Sequence, residues 1–345
     1  MNSNFYKDFS VIIPTYNRSN FLKKAITSVL RQKNVTFEII IGDNASKDNT
    51  ADIVKNFSDS RIKYFKNYKN LGHQKNFKKC FEKASGEYIF ALGDDDFILE
   101  DHALFKILKV MRKNKVGVGE IGAIYYSESI QNPCRLFTLG DRLILIKSRK
   151  DKKLPLKAMD INVSFFSGLI FDNSVVNSNR ITNSYNYPYF PLVYDAIRKK
   201  GAIFIPNLHL VAHISLRFVP EYFSLDKLGS FYMEDYLDMV RKYLNVEDYQ
   251  KHKKEFLRES TILLPSIKLF TDNMNYLKIL RRMILLDSLL IIFPRFIILA
   301  LIGFLPKFIL KSLRELMIYQ GEKRIRKIVK KYDYYQKIKR FVNLT

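Results

Sequence analysis

The sequence predicts an α/β protein built on a parallel sheet with helices on both faces. Three observations predict it: short apolar, β-branched runs recur through the first hundred residues, segments of helical apolar spacing separate them, and polar loops follow the runs. Residues 9–13 form the first run, and Phe21, Leu22, Ala25, Ile26, Val29 and Leu30 then predict a helix over 21–31. Residues 37–41 read as a buried strand closed by Gly42. Asn44, Ser46, Asp48 and Asn49 supply capping-type side chains ahead of a helix over 50–57. The unit repeats with a strand at 61–65, a helix at 73–84 leaving through Ser85 and Gly86, and a strand at 88–92 running into Gly93, Asp94, Asp95 and Asp96. Parallel strands collect ligands at their carboxyl ends, here residues 14–18, 43–48 and 94–96.

Beyond residue 101 the pattern loosens. It predicts a helix over 101–112, a strand over 121–126, weak alternation over 136–146, a charged loop over 147–157, a strand-like run over 163–171 broken by Ser167 and Gly168, a helix over 192–200 and a strand over 202–205. The composition then turns helical, which places a catalytic domain at 1–220 and a helical region at 221–345, apolar over 283–305 and basic over 306–345. In the apolar part Asp287, Pro294, Arg295 and Gly303 interrupt the Leu, Ile and Phe runs, so short helices attached to a membrane fit better than a single span. After Pro306, twelve Lys or Arg stand against three acids, a charge suited to anionic lipid headgroups.

Composition narrows the partners. Of 345 residues, 58 are Lys or Arg and 34 Asp or Glu, a formal charge of +24, while 47% hydrophobic content excludes a disordered chain. Such a charge favours nucleic acid, anionic lipid or a phosphorylated ligand. Cys80 and Cys134 have no metal or redox spacing and read as structural thiols of a reducing compartment. Residues 1–10 are polar and the next apolar run stops at Pro14, a pattern without a secretory signal, so the expected location is cytoplasmic, peripheral or monotopic at the inner face of the cell membrane.

Three successive acids at a strand end repel one another and are stabilised by a divalent cation; oxygen donors without a neighbouring His or Cys suit Mg2+ or Mn2+, which complete their shells with water and phosphate. The other reading is a solvated acidic turn ahead of a helix.

The run Val11, Ile12, Ile13, Pro14, Thr15, Tyr16, Asn17, Arg18, followed by Asp43, Asn44, Ser46, Asp48, then Asn70, Leu71, Gly72, Asn76, Gly86, Glu87, Tyr88 and Leu92 to Asp96, resembles the nucleotide half of family-two glycosyltransferases. The Leu-Gly-Asp-Asp-Asp form is similar to a subgroup that builds bacterial surface polysaccharides. The resemblance implies a GT-A fold, a mixed sheet flanked by helices. It further implies a metal-dependent, inverting transfer of a sugar from a nucleoside diphosphate, UDP above all, to a lipid-linked or surface-glycan acceptor. By the same resemblance Pro14, Thr15 and Tyr16 would hold the base, Asp43 would accept a hydrogen bond from it, and Arg18, Asn76 and Asp94 would line the nucleotide sugar. Asp95 and Asp96 would hold the metal. Many relatives carry Asp where Gly93 stands, which leaves the division of labour among the three acids open. Tyr16 reads equally as a core aromatic and Asp43 as a turn residue.

An inverting transfer needs a base on the acceptor hydroxyl. Asp195, on the helix before Gly201, is the candidate, with Asp172 in reserve; a surface Asp on a short helix is the competing reading. His209 and His213 read as core or surface histidines. A basic nucleic-acid-binding protein and an inactive GT-A homologue are the competing functions. Residues 323–331 lack the interleaved aromatics that the first requires, so no nucleic-acid partner is expected.

Overall fold

The structure is a computed structural model that describes residues 7–126, 129–130, 133–137, 142–148, 153–154, 166–181, 189–213, 231–261, 264–269 and 272–342. The chain divides into two compact units, Met1–Ile214 with Ile325–Thr345, and Ser215–Arg324.

The first unit opens with the expected alternation: β1 Phe9–Thr15, α1 Ser19–Leu30, β2 Phe37–Asp43, α2 Thr50–Lys55, β3 Ile62–Lys66, α3 His73–Glu82 and β4 Tyr88–Ala91. It continues through β5 Phe97–Ile98, α4 Ala103–Asn114, β6 Val118–Tyr126, β7 Pro133–Phe137, β8 Ile144–Ile146, β9 Leu169–Asp172, α5 Phe190–Lys200 and β10 Ala202–His213. The sheet runs β3-β2-β1-β4-β9-β6-β10-β5, with β7 against β6 and β8 against β10. The first four strands are parallel, as is the β6–β10 pair, whereas β9 enters antiparallel between β4 and β6. The sheet is therefore mixed.

Period-two alternation sends Val11, Ile13, Ile39, Ile41 and Phe90 to one face, where Leu22, Ile26 and Val29 of α1 and Leu104, Ile107 and Met111 of α4 cover them. Each such aliphatic side chain contributes roughly 1.5–3 kcal/mol by leaving water. The other face meets α3, whose Phe77, Cys80 and Phe81 are buried. Burial pushes the Cys80 thiol up to about 12, which fits a structural role.

β10 extends well past the four residues at 202–205 that the pattern predicts. Its register shifts between Ile205 and His209, where Asn207 takes a φ of 62°, and this irregularity disguises the second half of the strand. Ser167 and Gly168 form the turn into β9, with Gly168 at φ 87°. Most of the predicted charged loop and residues 163–165 lie outside the described residues.

At the amino edge of the sheet a buried carboxylate ties four segments together. Glu38 of β2 accepts from Ser10 Oγ at 2.6 Å, Lys7 Nζ at 2.7 Å and Ser85 Oγ at 2.7 Å, and Lys63 Nζ lies 2.5 Å away. Burial pushes this carboxyl up, but the bonds from Lys63, Lys7, Ser10 and Ser85 outweigh it and hold the group well below the usual carboxylate range. Beside it Gly86 has no room for a side chain, since a Cβ would sit 2.5 Å from the backbone of Phe9 and Ser10.

The last segment of the chain departs from its expected placement. Helix α12, Tyr334–Val342, belongs to the first unit: Tyr334, Ile338 and Phe341 pack with Phe97, Leu99, Ile124 and Val211. (Helices α6 to α11 lie between α5 and α12.) Phe341 stacks on Phe97 at 4.3 Å, Arg31 lies over its ring, and Lys337 pairs with Glu100 at 2.6 Å. The i, i+4, i+7 spacing of those three residues marks an amphipathic helix that the surrounding charge obscures.

The second unit is helical: α6 Phe231–Tyr243, α7 Val246–Ser260, α8 Leu264–Leu269, α9 Asn273–Leu286, α10 Pro294–Ile302 and the first part of α11 Lys307–Val329. Its core gathers Leu237, Leu257, Leu264, Tyr276, Ile279, Met283, Leu290 and Phe296. Asp287 caps the 3₁₀ turn Ser288–Ile292, accepting from the Leu289 N–H at 3.1 Å. No helix among the described residues is long and apolar enough to cross a membrane.

The Glu38 cluster gives a stability prediction. Glu38→Gln costs about 1–3 kcal/mol in urea unfolding at neutral pH, below the value for a fully buried pair because both lysines are partly exposed. Since folding lowers this carboxyl's pKa, its contribution is complete above its ordinary value of 4.5 and is lost as pH falls through the depressed folded-state value. Acid titration of stability therefore shows a shallower loss below pH 4.5 in the variant than in the parent.

Candidate active site

The parallel strands β1, β2, β4 and β10 bring four polar segments to one edge. The ladder between β1 and β4 ends as the Leu92 N–H bonds to Ile12, and the chain turns sharply through Gly93 to Asp96, with the Asp96 N–H donating to the Gly93 carbonyl at 3.2 Å. A Cβ on Gly93 would lie 2.6 Å from Asp96 Oδ2 and 3.0 Å from Ser167 Oγ, so any side chain there obliges Asp96 or Ser167 to shift.

The three acids have different surroundings. Asp96 is buried, accepting from Ser167 Oγ at 2.5 Å and from the His213 N–H at 3.1 Å. Ser167 Oγ in turn accepts from the Gly93 N–H at 2.6 Å. Asp95 lies 2.6 Å from Arg18 Nη1 and 3.5 Å from His213 Nδ1. Asp94 lies 3.3 Å from the same guanidinium. Burial, then the charge of Asp95, pushes Asp94 up to about 6 against the pull of Arg18 and Thr15. Burial and the Asp95 charge also push Asp96 well above its usual range, against the bonds from Ser167 and the His213 N–H. Two of the three carboxylates share the Arg18 guanidinium while Asp96 is held by neutral donors, so negative charge exceeds positive among these groups.

That deficit fits a divalent cation. Asp95 and His213 Nδ1 supply an oxygen and a nitrogen donor side by side, with Asp94 adjacent, a set that suits Mn2+ and admits Mg2+. Among the described residues no three His, Cys, Asp or Glu side chains converge to hold an ion by themselves. A cation bound here would take phosphate oxygens and water to complete its shell. Asp96, expected as a ligand, has both carboxylate oxygens engaged by Ser167 Oγ and the His213 N–H. The sequence reads His213 as a core or surface histidine because the irregularity in β10 hides the strand whose end it occupies.

At the nucleotide end the Tyr16 ring is 41% exposed beyond buried Pro14 and Thr15. The loop after β1 is tied to the loop after β2: the Asn17 N–H donates to Ser46 Oγ at 2.9 Å and the Lys47 N–H to Asn17 Oδ1 at 2.8 Å. Asp43 is fully buried, accepting from the Ser46 N–H at 2.7 Å and Tyr64 OH at 2.6 Å. Asn76 is also buried. It donates to the Gly42 carbonyl at 2.7 Å and accepts from Asn67 Nδ2 at 2.9 Å, and Asn67 and Asn70 extend this amide network to Asn44. Asp43 and Asn76 therefore sit at the expected edge with their polar atoms directed into the protein.

The catalytic-base candidates are each held in an ion pair. Helix α5 starts at the carboxyl edge and runs toward the amino edge, so Asp195, five residues from its start, lies about 7.5 Å down the axis. Its carboxylate pairs with Arg180 at 2.5 Å. Asp172 ends β9 at the amino edge, opposite Tyr88, and pairs with Lys200 at 2.5 Å.

With this geometry established, comparison with known proteins identifies the first half of the chain. Residues 10–172 match the family model described as glycosyl transferase family 2, and this segment is a glycosyltransferase family 2 domain. A GalNAc(5)-diNAcBac-PP-undecaprenol beta-1,3-glucosyltransferase of Campylobacter jejuni is 33% identical over 183 residues, 51% of this chain and 55% of the relative. The E. coli enzyme WfgD, a UDP-Glc:alpha-D-GlcNAc-diphosphoundecaprenol beta-1,3-glucosyltransferase, is 33% identical over 105 residues, 30% of this chain and 42% of the relative. The matched region spans about half the length of these relatives or less. Among solved structures, residues 1–349 of S. aureus TarS in complex with UDP-GlcNAc superpose with a TM-score of 0.59 at 17% identity, covering 89% of this chain and 92% of that one. Mannosyltransferase PcManGT from Pyrobaculum calidifontis in complex with GDP-Man and Mn2+ gives 0.50 at 12% identity, covering 94% and 88%. These likenesses establish the GT-A fold.

The bracing of Asp96 is testable without substrate. Ser167→Ala leaves a buried carboxyl and the Gly93 N–H without their shared partner and lowers unfolding free energy by about 1–3 kcal/mol in urea titrations.

Proposed function

We propose that the chain is an inverting, metal-dependent glycosyltransferase that moves a hexose from a UDP-sugar to an acceptor carried on a polyprenyl diphosphate. The observation that carries the reading is the cluster of Asp94, Asp95, Arg18 and His213 at the carboxyl edge of a family 2 domain. The relatives' names supply the substrate class: undecaprenol-diphosphate acceptors, beta-1,3 products and, for the E. coli protein, a UDP-Glc donor. A β-linked product from an α-linked UDP-sugar requires inversion.

In this reading Asp95 and His213 hold the cation, with Asp94 beside it. When bound, the cation neutralises charge on the departing diphosphate. Arg18 is 41% exposed and paired with two carboxylates that the cation would claim, so it turns to the diphosphate with its planar fork of donors. Tyr16 offers its exposed face to the base, and Pro14 and Thr15 form the floor beneath it. Asp43 and Asn76 act one layer further in. Asp43 fixes the loop over 44–48 through Ser46, and Asn76 fixes the approach to α3 through Gly42 and Asn67. Asp96 keeps the acidic turn in shape. Asp195 joins α5 to the Arg180 segment and takes no part in proton transfer.

The test is a panel of UDP-sugars with purified protein, with and without Mn2+ or Mg2+, scored by UDP release. Turnover depends on the added metal, and Asp95→Asn lowers it by about 10²-fold or more; metal-independent turnover, or an unimpaired Asp95→Asn, overturns the reading. Asp195→Asn gives a separate outcome. Its kcat stays within about threefold of the parent and its stability drops by about 1 kcal/mol, whereas loss of a general base costs about 10²–10⁴-fold.

A further inference from the structure

We infer that the second unit carries an in-plane docking surface for an anionic phospholipid bilayer, formed by the end of α9, the turn Ser288–Ile292, α10 and the start of α11. Each piece is pinned inward by buried residues, Met283, Leu290, Phe296 and Leu310, and presents large apolar side chains outward. Leu285, Ile291, Ile292, Ile298, Leu301 and Phe308 are between 56% and 74% exposed. Gly303 allows the close return after α10, where a Cβ would meet the Tyr276 ring, and this seats α10 against α9 with its outer face uncovered. Six large apolar side chains exposed on four successive pieces of chain exceed the scattered surface aliphatics of an ordinary face and mark an interaction site.

The charges around it choose the occupant. Residues 273–324 hold nine Lys or Arg against three acids, a net +6. Arg281, Arg282, Arg295, Lys307 and Lys311 are exposed before, within and after the apolar run. A second copy of the chain would bring the same positive rim against itself, which disfavours a two-fold dimer through this face. An anionic headgroup layer answers both properties: the rim meets phosphate while the aliphatic side chains enter the acyl boundary and the basic side chains reach back to the surface. The pieces lie flat. Helix α10, with nine residues, is about 13 Å long, against a hydrocarbon core of about 30 Å.

Sedimentation of the full chain with vesicles tests the surface, and no sugar nucleotide is present, so the result is independent of the proposed transfer activity. Phosphatidylcholine vesicles containing phosphatidylglycerol bind the protein, phosphatidylcholine alone binds it about tenfold less, and salt weakens the interaction. Combined Ile291→Ser, Ile292→Ser and Leu301→Ser reduce binding by about tenfold, as does Arg281→Glu with Arg282→Glu. Undiminished binding by both variants, equal binding to neutral vesicles, or a solution dimer that the serine variant dissolves while vesicles stay unbound each overturns the inference. The chain has no Trp, so Ile292→Trp gives a single-site readout that does not depend on how the triple variant folds. Its fluorescence shifts to the blue on anionic vesicles; an unshifted spectrum overturns the assignment of this face.

Discussion

Three carboxylates crowd the end of one strand with the Arg18 guanidinium paired to two of them, and distant segments of the first unit converge on that imbalance. Burial of Asp94 and Asp96 removes the water that would otherwise screen the repulsion, so each added negative charge is costly. The remaining stabilisation comes from distant parts of the chain: Arg18 after β1, Ser167 before β9 and the backbone of His213 at the end of β10. None is close in sequence to the acids. The crossovers of the sheet are what bring them to one corner, and the insertion of β9 between β4 and β6 is what delivers Ser167 beside Gly93.

Next to this charged corner lies a neutral one. Asn44, Asn67, Asn70 and Asn76 are linked amide to amide and join the end of β2 to the segment ahead of α3. Amides donate and accept without titrating, so this network holds the loops at this edge in a way indifferent to nearby charge. The contrast separates two duties at one edge: the amides keep the loops in place, and the acids, with Arg18, respond to what arrives.

The alternation of the first hundred residues was legible because each strand there is a continuous apolar run and each helix has a clear stripe. The acidic turn and its place at the carboxyl edge were legible for the same reason. Roles within the site were harder to read. Asp43 and Asn76 have the right residue types at the right spacing, but which way a side chain points at a strand end depends on neighbours such as Tyr64 and Asn67 that the local pattern does not reveal. His213 required knowledge that β10 continues across Asn207. Asp195 was chosen from its place on the helix before Gly201, and that local pattern does not reveal its ion pair with Arg180, fifteen residues upstream. Tyr334, Ile338 and Phe341 form a plain helical stripe, yet the charge around them directed attention to lipid.

Because residues beyond 325 complete the packing over Phe97 and Ile124, the first unit is discontinuous in sequence and the second is spliced into it. During synthesis more than a hundred residues of the second unit leave the ribosome before that apolar patch receives its cover. The helical insert must therefore mature while its host is still unfinished, and any delay there prolongs the interval in which the host is open to chaperones and to misassembly.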